Sequence, residues 1–478
     1  MSFASLYYLI FLLIAVSLYY SVFRKHQQKF LCIISVFFLF HFPVCNLTIL
    51  AVSLLVNYFL SQIIFQKTHL LFIGIIFNLL VLFLFKNSAE TVAEQYSWTN
   101  HILFLYLPEN ANSILFTVGI SFYSLQNISY LIDIYRKEIS AEKNFLSYTF
   151  SIIFFPKYMQ GPIEKPHSLI NQFHSNKNFN ADEILSALVR IAWGFAKKLI
   201  VADRLTAAVH LVAITDETYG FTTLLTLYLY SLSMYFDFSG YMDIALGSAK
   251  LFGFQLSENF NNPFAARSIT EFWRRWHITL MNFLNKYIYF PISYFFRKQK
   301  TFGFSIAIFI TFICSALWHG LSLTYFVWGC LHASFIVIEL IIKKITNYIP
   351  KKSGTNYKSN IKHLFSIILT FHLFCFANIF FKSSSLEIAF NTVNSLFDFL
   401  NFFPNNILMD SVALLSGGGD VDKFFNFFSY LVLTFFFLCS EKMILNNSKY
   451  WFKLIGLIIL ILLFGALNHH TNFIYIVY

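Results

Sequence analysis

Three histidines lie close together in an aromatic part of the chain, at His277, His319 and His332. Imidazole is the side chain that most often takes a proton near neutral pH, so each could act as a general base. His319 ends an apolar run and precedes Gly320, a residue type that commonly ends a helix. Backbone carbonyls at a helix end favour the imidazolium that a base becomes. A buried, hydrogen-bonded core histidine would show the same spacing, so spacing alone leaves both interpretations open.

Two helices are predicted to carry these histidines. Ser268 and Glu271 form a capping-box pattern, which predicts a helix that starts there and runs to the region of Pro291. Apolar residues repeat along it at helical spacing and place His277 on its apolar face. The run 302–318 predicts a second helix, long enough to cross a bilayer.

The composition is that of a polytopic membrane protein. The chain of 478 residues is 57% hydrophobic and only 12% charged, whereas soluble domains carry about 25% charged residues. Its net charge of +11 comes from short Lys/Arg clusters between apolar runs and not from one basic block, which argues against a nucleic-acid partner. The six cysteines show no C-x-x-C pair and are predicted to be small buried residues.

The apolar runs predict an all-α fold with about eleven transmembrane helices. The short second run is a candidate re-entrant segment, and an amphipathic interfacial helix is expected near 385–400. Lys/Arg content predicts an outside N-terminus, outside segments at 86–112 and 382–423, and a cytoplasmic segment at 343–362. The runs are 5–23, 30–42, 47–65, 70–85, 113–134, 223–250, 302–319, 323–341, 361–381, 424–439 and 450–467.

Two carboxylates, Asp237 and Asp243, interrupt one of these runs. An ionisable group at membrane depth costs about 2.5–3.5 kcal/mol, so each should face a polar cavity or a cation. One interpretation is that they line a reaction chamber or pair with Arg267, Arg274 or Arg275. The other is a structural salt bridge that fastens two helices together.

Two further segments have a structural and a functional interpretation. Gly161-Pro162 cannot be regular helix, and it predicts either a re-entrant segment that lines a tunnel or a surface loop. Lys197-Lys198 predicts a helix on the cytoplasmic membrane surface, or a contact with the phosphates of a donor substrate. The sequence has no H-E-x-x-H, G-x-S-x-G or P-loop motif, so no metal site, serine nucleophile or nucleotide hydrolysis is predicted.

The stretches EFWRRWHITL at 271–280 and ALWHG at 316–320 resemble the signature of the membrane-bound O-acyltransferase (MBOAT) family. The resemblance is strongest to its bacterial alginate O-acetyltransferase branch, and it extends over about 115–335. It implies a fold in which re-entrant and interfacial helices surround a central chamber. The corresponding division is N-terminal transmembrane helices at 1–110, a catalytic core at 111–345, and C-terminal transmembrane helices with an extracytoplasmic loop at 346–478.

The resemblance also implies roles for individual residues. His319 matches the presumed catalytic base of the family, and His277 matches its second histidine. Phe381-Lys382 departs from the pattern, because many relatives have an arginine there. The residues predicted to bind substrate or donor are Trp273, Arg274, Arg275, Trp276, Trp318, Asp237, Asp243 and His332.

The resemblance implies transfer of an acyl group, with acetyl-CoA as the donor, across a bacterial inner membrane. The acceptor would be a hydroxyl of an extracytoplasmic polysaccharide or a periplasmic partner acetyltransferase, and no bound cofactor is expected beyond the thioester donor. Two alternatives stay open. One is D-alanyl transfer of the teichoic-acid type from a carrier-protein thioester, and the other is a non-catalytic acyl or glycan conduit.

Overall fold

The computed structural model describes residues 3, 5–42, 44–65, 67–90, 118–213, 220–347, 357–398, 420–445 and 450–465. These residues form helices, and the only β pairing among them is an isolated bridge between Phe260 and Trp276. The predicted all-α class is therefore confirmed. Within the described part, four helices are long and apolar enough to cross a membrane, at Asn46–Ile63, Arg297–His319, Leu323–Ile345 and Ile361–Lys382.

The N-terminal part of the chain consists of helices that are apolar along most of their length. Each of the predicted apolar runs coincides with a helix in its described part, although the total number of spans stays a prediction. The first helices are α1 (Leu6–Tyr20), α2 (Gln27–Leu39), α3 (Val44–Ile63), α4 (Thr68–Glu90), α5 (Ile120–Tyr135), α6 (Phe145–Ile153), α7 (Phe155–Tyr158) and α8 (Pro166–Phe173).

The centre of the molecule is built on α9 (Ala181–Ala196), α10 (Asp203–Ala213) and the long α11 (Gly220–Leu251). Two glycines let α9 and α11 approach closely, as expected for small residues in membrane helices. A methyl group on Gly240 would lie 2.9 Å from the carbonyl oxygen of Gly194. Larger residues at this crossing would push the two backbones apart.

The remaining helices follow α11 and surround the histidines. The helix predicted near 385–400 is confirmed as α18, whereas the segments 86–112, 343–362 and 382–423 lie partly outside the described residues and their sidedness stays a prediction. The elements are α12 (Ile269–Trp273), α13 (Ile278–Leu284), α14 (Phe290–Phe295), α15 (Lys300–His319), α16 (Leu323–Asn347), α17 (Tyr357–Lys382), α18 (Leu386–Phe397), α19 (Asp420–Leu445) and α20 (Tyr450–Phe464).

The prediction of one continuous helix from Ser268 to the Pro291 region is right at its start but wrong in its middle and at its end. Ser268 does cap α12, accepting from the Glu271 amide at 3.2 Å, but this helix ends after five residues. The chain then breaks at His277, whose φ of +46° belongs to the left-handed region. Pro291 does not end the helix either, because the chain stays helical through the π-helical turn Asn285–Tyr289 and on to Phe295.

The two carboxylates of α11 belong to an ion-pair network with the end of α9 and the π-helical segment Lys197–Ala202. Asp243 accepts from Lys197 Nζ at 2.8 Å and from Arg190 Nε at 3.0 Å. Asp237 accepts from Lys198 Nζ at 2.7 Å. The network comprises Arg190, Lys197, Lys198, Asp203, Asp237, Asp243, Glu258 and Glu441.

Two predictions about these charges are therefore corrected. The partners of Asp237 and Asp243 are not Arg267, Arg274 or Arg275 but cations some 40 residues upstream. Lys197 and Lys198 do not lie on the membrane surface, because only 1% and 2% of their surfaces are exposed. The interpretation that holds is the salt bridge that fastens two helices.

Candidate active site

His319 is the last residue of α15, and the Gly320 amide closes the helix by donating to the Ala316 carbonyl at 3.1 Å. Its side chain is buried, with 5% exposed. Aromatic rings surround it edge to face, with centroid distances of 5.3 Å to Trp328 and 5.0 Å to Phe381. The predicted position at a buried helix C-terminus is confirmed, and the carbonyl end of the helix favours a positive charge there.

His277 is placed by the break in the predicted helix. The backbone before and after it pairs with the strand-like segment 259–261: the Asn261 amide donates to the Arg275 carbonyl and the Ile278 amide to the Asn259 carbonyl, both at 3.0 Å. This pairing holds His277 in its left-handed conformation at the start of α13. The imidazole reaches the interior as predicted, although through a turn and not from the face of a helix.

The surroundings of the His277 ring are mainly aromatic. The rings of Phe238 and Trp318 lie 5.0 Å and 6.0 Å away. Its Nδ1 lies 3.3 Å from Asn259 Oδ1. Its Nε2 is buried and has no hydrogen-bond partner among the residues that the structure describes.

His332 on α16 is fully buried, and its Nδ1 accepts a hydrogen bond from a tryptophan. Trp273 Nε1 donates to His332 Nδ1 at 3.3 Å. The ring also packs against Trp328 at 5.0 Å. His332 Nε2, like that of His277, has no partner in the described part of the chain.

The three histidines lie in one row of alternating rings. Trp318 packs against both His277 and His319, with its centroid 4.8 Å from the latter. Trp328 in turn contacts both His319 and His332. We call His277, Trp318, His319, Trp328 and His332 the histidine row. Trp328 Nε1 is also buried without a partner among the described residues, so the row contains several polar atoms that are available to a ligand.

The non-helical segment around Gly161 abuts one end of this row. It is buried, as the tunnel-lining interpretation requires, and not a surface loop. The Ile163 amide donates to Thr279 Oγ1 at 3.1 Å, just after His277. A methyl group on Gly161 would lie 2.9 Å from the Phe122 ring, which packs edge to face on Trp318. The segment therefore positions the residues on which the histidines rest.

The fold agrees with the comparison to known families. The model of the membrane-bound O-acyltransferase family, MBOAT, matches residues 25–381. The chain belongs to the membrane-bound O-acyltransferase family. It is a multi-pass membrane protein and an O-acyltransferase.

Curated relatives of this O-acyltransferase act on several cell-surface polymers. The chain is 31% identical to a probable alginate O-acetylase of Pseudomonas aeruginosa over 91% of this chain and 80% of that protein. It is 26% identical to a peptidoglycan O-acetyltransferase of Helicobacter pylori over 89% and 86%. A teichoic acid D-alanyltransferase of Bacillus subtilis is 27% identical over 56% of this chain and 68% of that protein. Among these, O-acetyl transfer is the best-supported activity.

A cavity of about 470 Å³ opens beside the acyltransferase's histidine row, between α13, α15 and α16. Trp273, which binds His332, lines it, and so does the exposed Arg274. Arg275 instead pairs with Glu271 at 2.6 Å, and Trp276 packs against Phe374 at 5.1 Å. Of the residues predicted to bind substrate or donor, Trp273 and Arg274 line this cavity.

Two residues of the site were not predicted from the sequence. Asn259 and Thr279 connect His277 to the Gly161 segment: Thr279 Oγ1 donates to Asn259 Oδ1 at 2.9 Å. Thr279 lies in the family stretch at 271–280, but no role was assigned to it there. The available signal for Asn259 was that the stretch ENFNN at 258–262 places polar residues between the buried α11 and the histidine-bearing stretch. Within the described residues, no group of three or more His, Cys, Asp or Glu side chains is arranged to hold a metal.

Proposed function

We propose that this O-acyltransferase takes an acetyl group from acetyl-CoA at the cytoplasmic side of a bacterial inner membrane and delivers it to a hydroxyl of an extracytoplasmic polysaccharide, with His319 as the base. The observation that carries the proposal is the position of His319, buried at the end of α15 with aromatic rings around it. A partner acetyltransferase that receives the group is an alternative destination for the same chemistry.

The reaction is a direct acyl transfer. His319 accepts the proton of the hydroxyl, and the oxygen attacks the thioester carbon. The C–S bond then breaks to release a thiolate, which takes the proton from His319. The helix C-terminus stabilises the imidazolium formed in the first step. The aromatic walls exclude water, which strengthens electrostatic interactions inside the site and limits hydrolysis of the thioester.

The cavity beside Trp273 and Arg274 supports a place for the donor. Its lining combines the Arg274 guanidinium, which suits a phosphate, with apolar walls that suit a thioester arm. In this arrangement the phosphates of acetyl-CoA lie near Arg274 and the acyl end reaches toward the histidine row.

The test is acetyl-CoA turnover by purified enzyme, read as thiol release in the presence of oligosaccharide acceptors, together with the O-acetyl content of surface glycans in cells. His319→Ala should lower the rate by about 10²–10⁴, the usual value of a general base. The matched controls are His277→Ala, with a smaller loss, and His332→Ala, with the smallest. Normal turnover by folded His319→Ala would contradict the proposed mechanism.

A carrier-protein thioester is the competing donor, because the D-alanyltransferase relative covers over half of the chain. The enzyme should turn over acetyl-CoA without any added carrier protein. Turnover that requires an acylated carrier would replace the donor in the proposal while leaving the role of His319 in place.

A further inference from the structure

The hydrogen bonds of Asn259 determine which way its carboxamide points. The Thr279 backbone amide lies 3.0 Å from the terminal Asn259 atom and can only donate, so that atom must be the carbonyl oxygen. The Thr279 hydroxyl donates to the same oxygen. The Asn259 amide nitrogen then faces the sulfur of Met242 at 3.4 Å, which is a weak acceptor. The orientation of the Asn259 carboxamide is therefore fixed by the Thr279 backbone N–H, which can only donate.

This orientation determines the tautomer of His277. Because Nδ1 lies 3.3 Å from an oxygen that cannot donate, Nδ1 must carry the proton. A neutral imidazole has one N–H, so Nε2 presents a lone pair. That lone pair is buried, 1% of the residue being exposed, and it has no donor among the described residues.

His332 has the opposite arrangement in the same row. Its Nδ1 receives the Trp273 indole N–H, which can only donate, so in the neutral ring the proton is on Nε2. His277 therefore offers an acceptor and His332 offers a donor. The difference arises entirely from the neighbours of Nδ1, Asn259 in one case and Trp273 in the other.

We propose that Asn259 is a positioning residue that keeps His277 as a hydrogen-bond acceptor at Nε2, and that the group His277 receives is a hydroxyl of the glycan acceptor other than the one whose proton His319 takes. The thioester carbonyl has no hydrogen to donate and cannot bind a neutral His277 of this tautomer. A sugar hydroxyl can. This inference rests on the proposed function for the identity of the ligand, but the tautomer itself does not depend on it.

The tautomer can be measured directly by ¹⁵N NMR of histidine-labelled enzyme in lipid nanodiscs. The chain has 14 histidines, and the His277 signal is identified by its loss in His277→Gln. We expect the Nδ1–H form in the wild-type enzyme and a shift toward the Nε2–H form in Asn259→Leu, which keeps the side-chain volume but removes the oxygen. A wild-type His277 in the Nε2–H form would overturn the proposal, whether or not any variant folds.

Thr279→Val is the matched control for Asn259→Leu. It removes the Thr279 hydroxyl contacts to Asn259 and to the Ile163 amide but leaves the His277 contact in place. Its thermal stability should fall, whereas the His277 tautomer should stay as in the wild type. An equal change of tautomer in both variants would show that general disruption, and not the Asn259 oxygen, sets the proton.

The kinetic measurement identifies the ligand, with acetyl-CoA as donor and an alginate oligosaccharide as the acceptor probe. Asn259→Leu should raise the KM for the oligosaccharide about tenfold, the size of one lost hydrogen bond, with little change in the KM for acetyl-CoA. A rise confined to the acetyl-CoA KM would overturn the hydroxyl assignment. Wild-type enzyme that transfers to no acceptor would count against the proposed function, while the NMR result would still decide the tautomer.

Discussion

In the ion-pair network between α9 and α11, the buried charges Lys197, Lys198 and Asp243 each have an opposite charge within 3.0 Å. In the histidine row, His277 and His332 each leave Nε2 without a partner among the described residues. Both regions are buried, so both sets of polar groups have lost water. The charges of the network have replaced that water with protein partners, whereas the two Nε2 atoms of the row have none among the described residues.

The difference separates structural polar groups from those that are available to a ligand. Leaving a buried donor or acceptor unpaired costs about 1–3 kcal/mol, so unpaired atoms are rare in folded proteins. Three of them lie in the histidine row, where the proposed substrate would complete their hydrogen bonds. The network, by contrast, is complete without substrate, and changes to it should act on folding before they act on turnover.

The largest effect on stability is expected from Asp243→Asn. Its carboxylate neutralises the buried Lys197 and the partly buried Arg190, and removing one partner of a buried pair typically costs about 3–5 kcal/mol. Membrane yield and thermal stability should both fall. The measurement is the melting temperature of the purified protein beside its acetyl-CoA turnover per folded molecule.

Glu258→Gln is the control, because Glu258 binds the same Arg190 but has 57% of its side chain exposed. It should have a much smaller effect, since exposed pairs contribute about 0–1 kcal/mol. If Asp243→Asn kept its stability and lost only turnover, the carboxylate would line the reaction chamber and the comparison between the two regions would not hold.

The ion pairs also show what could and could not be predicted from the sequence. Asp237 and Asp243 stand out because charge is rare in an apolar run, so the need for a partner was predictable. The identity of the partner was not, because Lys197 and Lys198 lie on a separate helix whose packing on α11 depends on Gly194 and Gly240. Sequence periodicity describes one helix at a time and does not describe which faces meet.

The histidines show a related limit. The two family motifs located His277 and His319, and Gly320 predicted the end of α15. The break at His277 was not predicted, because it depends on backbone pairing with 259–261 and not on a residue that disfavours helix. Asn259 and Thr279 were missed for the same reason.

A smaller effect on stability is expected from Gly240→Ala. This variant tests the close approach of α9 and α11, which brings the cations at the end of α9 to the carboxylates of α11. The added methyl would meet the Gly194 carbonyl at 2.9 Å, and backbone there cannot move aside cheaply. Overpacking of this kind costs about 1–3 kcal/mol. The melting temperature should fall while the KM for acetyl-CoA stays close to that of the wild type.

Gly456→Ala is the matched control for this change. Gly456 also lies inside a helix, α20, but a methyl group on it would meet nothing within 4 Å. It should be neutral or slightly stabilising, because alanine is the better helix former. Equal losses for the two variants would mean that glycine itself, and not the crossing of α9 and α11, explains the effect.

The smallest effect is expected from a third, more exposed cluster, where Lys286 binds Asp133 and Glu138. The hydrogen bond from Lys286 holds the pKa of Glu138 below its ordinary value. A carboxyl group with a lowered pKa in the folded state adds stability above its unfolded pKa, and loses it as the pH falls through the folded pKa. Because 41% of the Glu138 side chain is exposed, the gain should be only about 0.2–1 kcal/mol.

Glu138→Gln should therefore lower the melting temperature slightly near pH 7. The difference from the wild type should shrink as the pH falls below the unfolded pKa of about 4.3 and vanish once Glu138 is protonated in the folded state. High salt should also reduce the difference, because ions screen an exposed pair. The Asp243→Asn loss should persist in the same salt, since that pair is buried. Equal salt sensitivity of both variants would mean that burial does not protect the network from screening by ions. That result would contradict a structural role for the network.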